Sequence, residues 1–97
     1  MSEVTVRQPR FSLGETVATP GALRALAEAG QEPSSFLSRH VSGDWGEICD
    51  GDRQINEDAV NNGDRLMSAY TLRTSVKIWI ITEADRSVTT LLLPDDY

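Results

Sequence analysis

The stretch VKIWIITEADRSVTTLLLPDDY, residues 76–97, closes the chain and decides how the rest of it reads. Two apolar runs, 76–82 and 88–93, are rich in branched and aromatic side chains and flank a polar break, Glu83-Ala84-Asp85-Arg86-Ser87. Such runs read as strands. The break has the length of a four- or five-residue hairpin loop, a class commonly built around a type I turn. Asp85 and Ser87 suit it, because their short polar side chains fold back onto nearby backbone N–H groups. Along the first run Val76, Ile78 and Ile80 face one way, while Trp79 and Ile81 face the other. A strand that is apolar on both faces is a central strand covered on both sides. Residues 65–72 form a third run of the same kind. The second half therefore predicts a three-stranded antiparallel meander, with helices over one face. Trp79 then needs another cover, either the N-terminal segment or a second copy of the chain.

Upstream the period changes. Residues 10–21 read as extended and end on a helix start: Thr19 suits the N-cap, and Pro20 the first helical position, where its missing N–H is not needed. Leu23, Leu26 and Ala27 share a helical face, and Gly30 is a C-terminal stop. Pro33 or Ser34 opens a second helix with Phe36, Leu37, His40 and Val41 on one side, stopped at Gly43. A glycine-rich loop, SGDWGEICDGD, leads into a third helix expected over 52–61. Its inner face is expected to carry Ile55 and Ala59, with Glu57, Asp58 and Asn62 in water. The fold class that follows is α+β: an N-terminal extended segment, two to three short helices, then the meander. Residues 1–10 are expected to be a flexible arm, with a short strand near Val4 to Val6, and residues 11–97 a single domain.

The 97 residues fit one small domain without a deep interdomain cleft, and 39% hydrophobic with 25% charged is a soluble globular composition. The N-terminus has no apolar stretch of signal-peptide type. No apolar segment approaches the roughly 18 residues of a membrane span. The one cysteine, Cys49, cannot form an intramolecular disulfide. These features point to the cytoplasm and to no membrane partner. The net charge of −6 is concentrated: the seven acids of segment 44–64 (Asp44, Glu47, Asp50, Asp52, Glu57, Asp58, Asp64), set against Arg53, account for all of it. Direct nucleic-acid binding needs a concentrated basic surface, which the sequence does not show.

The sequence offers no catalytic, cofactor-binding or metal site. A His40–Cys49 pair has the residue types of a base-activated thiol, but His40 sits on an apolar helix side and Cys49 in a loop. Structural zinc takes four ligands of these kinds, and the chain has two. The run DGDRQINED fails the EF-hand spacing in both registers, with Gln54 and Ile55 at ligand and glycine positions. Asp44, Glu47, Asp50 and Asp52 lack any sequence sign of split environments for acid–base work. No phosphate loop and no nucleophile elbow is present. Trp45, between Asp44 and Gly46, reads as a core anchor or as an exposed aromatic of the kind that dominates interfaces.

The pieces FSLGETVATPGAL, SGDWG and KIWIITEADRSVTTLLLPDDY resemble small bacterial proteins described as plasmid-related. The resemblance runs over residues 11–97 and implies a bacterial host and a link to mobile elements; it transfers no catalytic residue. The expected function is that of a small non-catalytic interaction protein, without cofactor, that self-associates or binds a protein partner. Its expected surface is Asp44, Trp45, Trp79, Glu83, Asp85 and Arg86. Two alternatives stand beside it. One is an acidic decoy that inhibits a nucleic-acid-binding protein. The other is a small ribonuclease-toxin-like protein using Arg65, Arg73, Lys77 and Arg86.

Overall fold

The computed structural model describes residues 9–97; the short strand expected near Val4 to Val6 lies outside them. The α+β class holds. In chain order the elements are β1 (Glu15–Ala18), α1 (Pro20–Ala29), α2 (Pro33–Val41), α3 (Asp50–Asn62), β2 (Leu66–Thr71), β3 (Lys77–Thr82) and β4 (Val88–Leu92), followed by a 3₁₀ turn at Pro94–Asp96.

The sheet corrects the expectation of three antiparallel strands. The strands β2, β3 and β4 do form the antiparallel meander, but the extended N-terminal segment adds β1 beside β4, in parallel, in the order β1-β4-β3-β2. The sheet is four-stranded and mixed. The sequence hid β1 because Glu15, Thr16 and Val17 are exposed, so the segment lacks the apolar alternation of a half-buried strand.

The register sorts the side chains. Leu66, Ser68, Tyr70 and Leu72 share the helix-covered face with Ile78, Ile80 and Thr82, then Thr89 and Leu91, then Ala18. Ala22, Ala25, Leu26, Ala29 and Phe36 of α1 and α2 pack onto one end of that face. Trp45, Ala59 and Leu66 form a second cluster at the other end, with Phe11, Ile48 and Val60 against it. On the opposite face Trp79 is half-buried under the ring of Tyr97, 5.7 Å away. The ring of Tyr97, from the chain's own C-terminal residues, thus lies over Trp79.

Local chemistry sets the helix ends. Thr19 Oγ1 accepts the N–H of Ala22 at 3.1 Å, and Pro20 opens α1. Helix α3 starts two residues earlier than expected, after Cys49, with Asp50 and Asp52 in its first turn where they complement the helix dipole. Its inner face also differs: Ile55 is 62% exposed, and Asn56 is buried beside Ala59.

Candidate functional site

His40, the only histidine, is fully buried. It projects from the last turn of α2 into the sheet. Its Nδ1 lies 2.6 Å from Ser68 Oγ and its Nε2 2.9 Å from Thr82 Oγ1. Thr82 Oγ1 is 2.7 Å from Thr89 Oγ1, whose hydroxyl donates to the Leu13 carbonyl at 2.7 Å. A continuous polar chain therefore crosses three strands beneath the helices. The rings of Phe11 and Trp45 stand nearly perpendicular to the imidazole, with centroids at 5.2 and 5.7 Å. Burial first, and the charge of Arg86 second, push the pKa of His40 down to about 4. Both ring nitrogens are occupied by hydroxyls, so His40 is not placed to activate Cys49, which is exposed at the start of α3.

Trp45 takes the core role and not the exposed one. It is 1% exposed, stacks on Phe11, and donates its Nε1–H to Glu57 Oε2 at 2.9 Å. Both oxygens of Glu57 also accept from the guanidinium of Arg10, at 3.0 and 2.9 Å. These bonds, Arg10's first and Trp45's second, lower the pKa of Glu57. Asp44 is held by Arg39 at 2.7 Å, and the Asp44 carbonyl accepts from the hydroxyl of Tyr70, whose pKa burial pushes up to about 12. Residues 45–47 then run along the outer edge of β2: Ala69 N–H donates to the Trp45 carbonyl, and Glu47 N–H to the Ala69 carbonyl. Gly46, at φ +76°, lies so close to the Ala69 carbonyl that no Cβ fits.

The turn EADRS is a hairpin connection, with Arg86 N–H bonded to the Glu83 carbonyl and Ser87 N–H to Asp85 Oδ1. Ser87 also donates its hydroxyl to Asp85, which lowers that carboxyl's pKa. Arg86 is an unusual occupant, with φ at +61°. Its guanidinium reaches inward to the carbonyls of Asp64, Glu83 and Ala84 through Nη1 and of Ala59 through Nη2. It ties the turn to the C-terminus of α3, where free carbonyls favour a cation. Glu83 pairs with Arg65 at 3.5 Å, and Arg65 donates to the Tyr97 hydroxyl at 2.9 Å. Of the six expected surface residues, Trp45 and Arg86 serve the interior; Asp44 and Glu83 are ion-paired, Asp85 is exposed, and Trp79 lies under Tyr97. Trp45, being buried, contributes no surface, while Trp79, Glu83 and Arg86 are linked through Arg65 and Tyr97. Of the four bases of the ribonuclease-like reading, Arg65 and Arg86 meet at Glu83, the first at its carboxylate and the second at its carbonyl.

One further surface feature, beside larger grooves at α1 and at β1, lies between α3 and β2. Asn56 offers its side-chain amide to the β2 edge as a strand would: Nδ2 donates to the Met67 carbonyl at 2.7 Å, and Oδ1 accepts the Met67 N–H at 3.2 Å. Beside that bond opens a groove of about 170 Å³ lined by Ile48, Asp52, Ile55, Asn56, Arg65, Leu66 and Met67. Sequence reading missed the groove because it turned Ile55 inward. It also missed Ser68 and Thr82, although both are polar residues at inward positions of apolar strands, opposite a helix whose apolar side carries a histidine.

Among the described residues no cluster of three or more His, Cys, Asp or Glu side chains is arranged to hold a metal ion. No helix among them is long and apolar enough to cross a membrane. No protein-family model, curated protein or solved structure matches the chain.

Proposed function

We propose that the chain is a non-catalytic protein-binding module of the bacterial cytoplasm, associated with mobile elements, and that it binds through the groove between α3 and β2. The observation that carries this reading is Ile55. A helix that packs on a sheet turns its apolar stripe inward, yet α3 buries an asparagine and leaves Ile55 62% exposed on the wall of an apolar groove. The side chains with the most chemical potential support it from the other side. His40, Glu57 and Arg86 all spend their bonding capacity inside the fold.

The test is capture from the native host with a tagged chain and its Ile55→Ser variant. An exposed substitution of this kind changes stability by no more than about 0.5 kcal/mol, so both forms are folded. A protein retained by the parent and lost by the variant is the expected result. Identical sets of captured proteins would remove the groove from the account. A second reading, an acidic inhibitor of a nucleic-acid-binding protein, is favoured by the seven carboxylates and single arginine of segment 44–64.

A further inference from the structure

We infer that the chain pairs with a second copy of itself along the outer edge of β1: the two β1 strands run antiparallel about a two-fold axis at Val17 and join two four-stranded sheets into one. This surface lies at the opposite edge of the sheet from the groove between α3 and β2, and the inference does not rest on that groove.

The two sheet edges are finished differently. At the β2 edge the outward backbone groups of Ala69 are met by residues 45–47, and those of Met67 by the amide of Asn56. The β1 edge is open. Glu15 N–H donates to the Ser87 carbonyl, and Thr19 N–H to the Leu91 carbonyl. A parallel ladder uses alternate residues, so Glu15, Val17 and Thr19 face β4, while the N–H and carbonyl of Thr16 and Ala18 face away. Among the described residues no group bonds to them. Native edges are commonly blunted by lysine, proline, a bulge or a covering loop. Strand β1 has only Glu15, at one end. Apolar surface flanks it instead. Val17 is 40% exposed on the open face of the sheet. Beside the helices a groove of about 260 Å³ is lined by Thr16, Val17, Ala18, Leu23, Pro33, Leu37 and Leu91, with no charged side chain.

The free backbone groups call for a strand, and the register makes it a second β1. With two antiparallel strands centred on Val17, Thr16 of each copy lies opposite Ala18 of the other, and each such pair exchanges both N–H···O bonds. All the outward groups of β1 are then used. The two Val17 residues form the intervening non-hydrogen-bonded pair, where side chains approach most closely and β-branched apolar residues pack well. Glu15 falls opposite Thr19, so no like charges meet across the strands. A two-fold normal to the sheet sets both helix layers on one side. It turns the two uncharged grooves, each with its exposed Leu23, toward one another. The acidic segment 44–64, which holds the whole net charge, packs at the β2 edge, far from the axis. The chain's own N-terminus is less well placed as an occupant, since Arg10 is fastened to the Val41 carbonyl and to Glu57 of α3.

Sedimentation of the full-length protein should show a concentration-dependent dimer. Thr16→Pro removes one outward N–H from each copy, and an edge strand tolerates proline where its N–H faces solvent. It should weaken the dimer about tenfold or more. Val17→Lys sets like charges opposite each other on the axis and should leave a monomer. Both variants should keep the parent's circular dichroism, and Ile55→Ser should leave the dimer intact. Register is read separately, in a Cys49→Ser background. Val17→Cys should form a disulfide between copies on mild oxidation, because a non-hydrogen-bonded pair lies within disulfide reach. Glu15→Cys should not, since its two copies stand about 13 Å apart along the strands.

A parent that is monomeric at the concentration of an NMR sample would overturn the inference, and so would a dimer indifferent to both Thr16→Pro and Val17→Lys. Crosslinking of Glu15→Cys as readily as Val17→Cys would contradict the register. A dimer dissolved by Ile55→Ser would place the contact in the groove between α3 and β2 instead. A monomeric parent that captures a host protein, lost on Thr16→Pro, would make the occupant a foreign strand. Amides of Thr16 and Ala18 protected from exchange in a monomer, and exposed by Val4→Pro/Val6→Pro, would name the chain's own N-terminus.

Discussion

Thr89 Oγ1 donates to the carbonyl oxygen of Leu13 at 2.7 Å, and this one contact fixes every proton in the buried chain behind it. A carbonyl only accepts, so the single hydroxyl proton of Thr89 is spent there. Thr82 must then donate to Thr89, and His40 must donate to Thr82 through Nε2. The remaining ring nitrogen, Nδ1, accepts from Ser68. Burial, which lowers the ring's pKa, keeps the imidazole neutral, and its one proton is on Nε2. Nitrogen chemical shifts of the one histidine should show that tautomer at neutral pH. The Nδ1-protonated form would mean the chain runs in another direction.

Stability should fall in mild acid on account of the same ring. The unfolded histidine titrates near 6.5 and the folded one near 4, so between these values the unfolded state binds the extra proton. The folded state's advantage is complete above about pH 6.5 and is lost as pH falls towards 4, by about 3 kcal/mol in all. Above about pH 5 the carboxylates Glu57, Asp85 and Asp96, whose pKa values are lowered, stay ionised in the fold. The slope between pH 5 and 6.5, measured by denaturant unfolding, therefore reports His40. A flat profile there would contradict its neutral burial.

Gly46→Ala should be among the most damaging single changes. The position needs positive φ, and a Cβ would strike the Ala69 carbonyl and the ring of Tyr70. A loss of about 2 kcal/mol or more is expected from strain and the displaced edge bonds, read as a lower denaturant midpoint.

Arg86 separates two effects. Alanine there keeps the left-handed backbone and loses the guanidinium that binds four carbonyls. Glycine loses the same bonds but is free of the backbone penalty, which is about 1–2 kcal/mol for other residues. Both variants should be less stable than the parent, and Arg86→Gly more stable than Arg86→Ala by about 1 kcal/mol. The reverse order, in matched thermal melts, would show that the turn does not hold this conformation.

Asn56→Ala should expose the edge of β2 by leaving the N–H and carbonyl of Met67 without their amide partner. Unfolding measurements should show a loss of about 1–3 kcal/mol. Light scattering should show new concentration-dependent association, because an open strand edge templates pairing.

What the sequence revealed was what local chemistry controls. Thr19, Pro20, Gly30 and Pro33 marked helix ends because caps depend on a few adjacent residues. The hairpin at 83–87 was readable because turn residues carry their own conformational preference. Strand β1 was not, since its partner lies more than seventy positions away and its own side chains face water. Ile55 and Asn56 exchanged roles because hydropathy ranks side chains by transfer to oil, whereas this position must satisfy the backbone edge of Met67. Trp45 was open between two readings until its indole N–H found Glu57.

The parallel pairing of Glu15 with Val88 and of Ala18 with Leu91 has a kinetic consequence. It joins strands more than seventy residues apart, and loop-closure entropy opposes it until the meander exists. The helices and the β2–β3 hairpin rest on short-range contacts and can form early; β1 must wait. Refolding is expected on the slower timescale of non-local topologies. Val17→Ala should quicken unfolding and leave the folding rate nearly unchanged. A nascent chain would hold β1 unpaired until β4 was made.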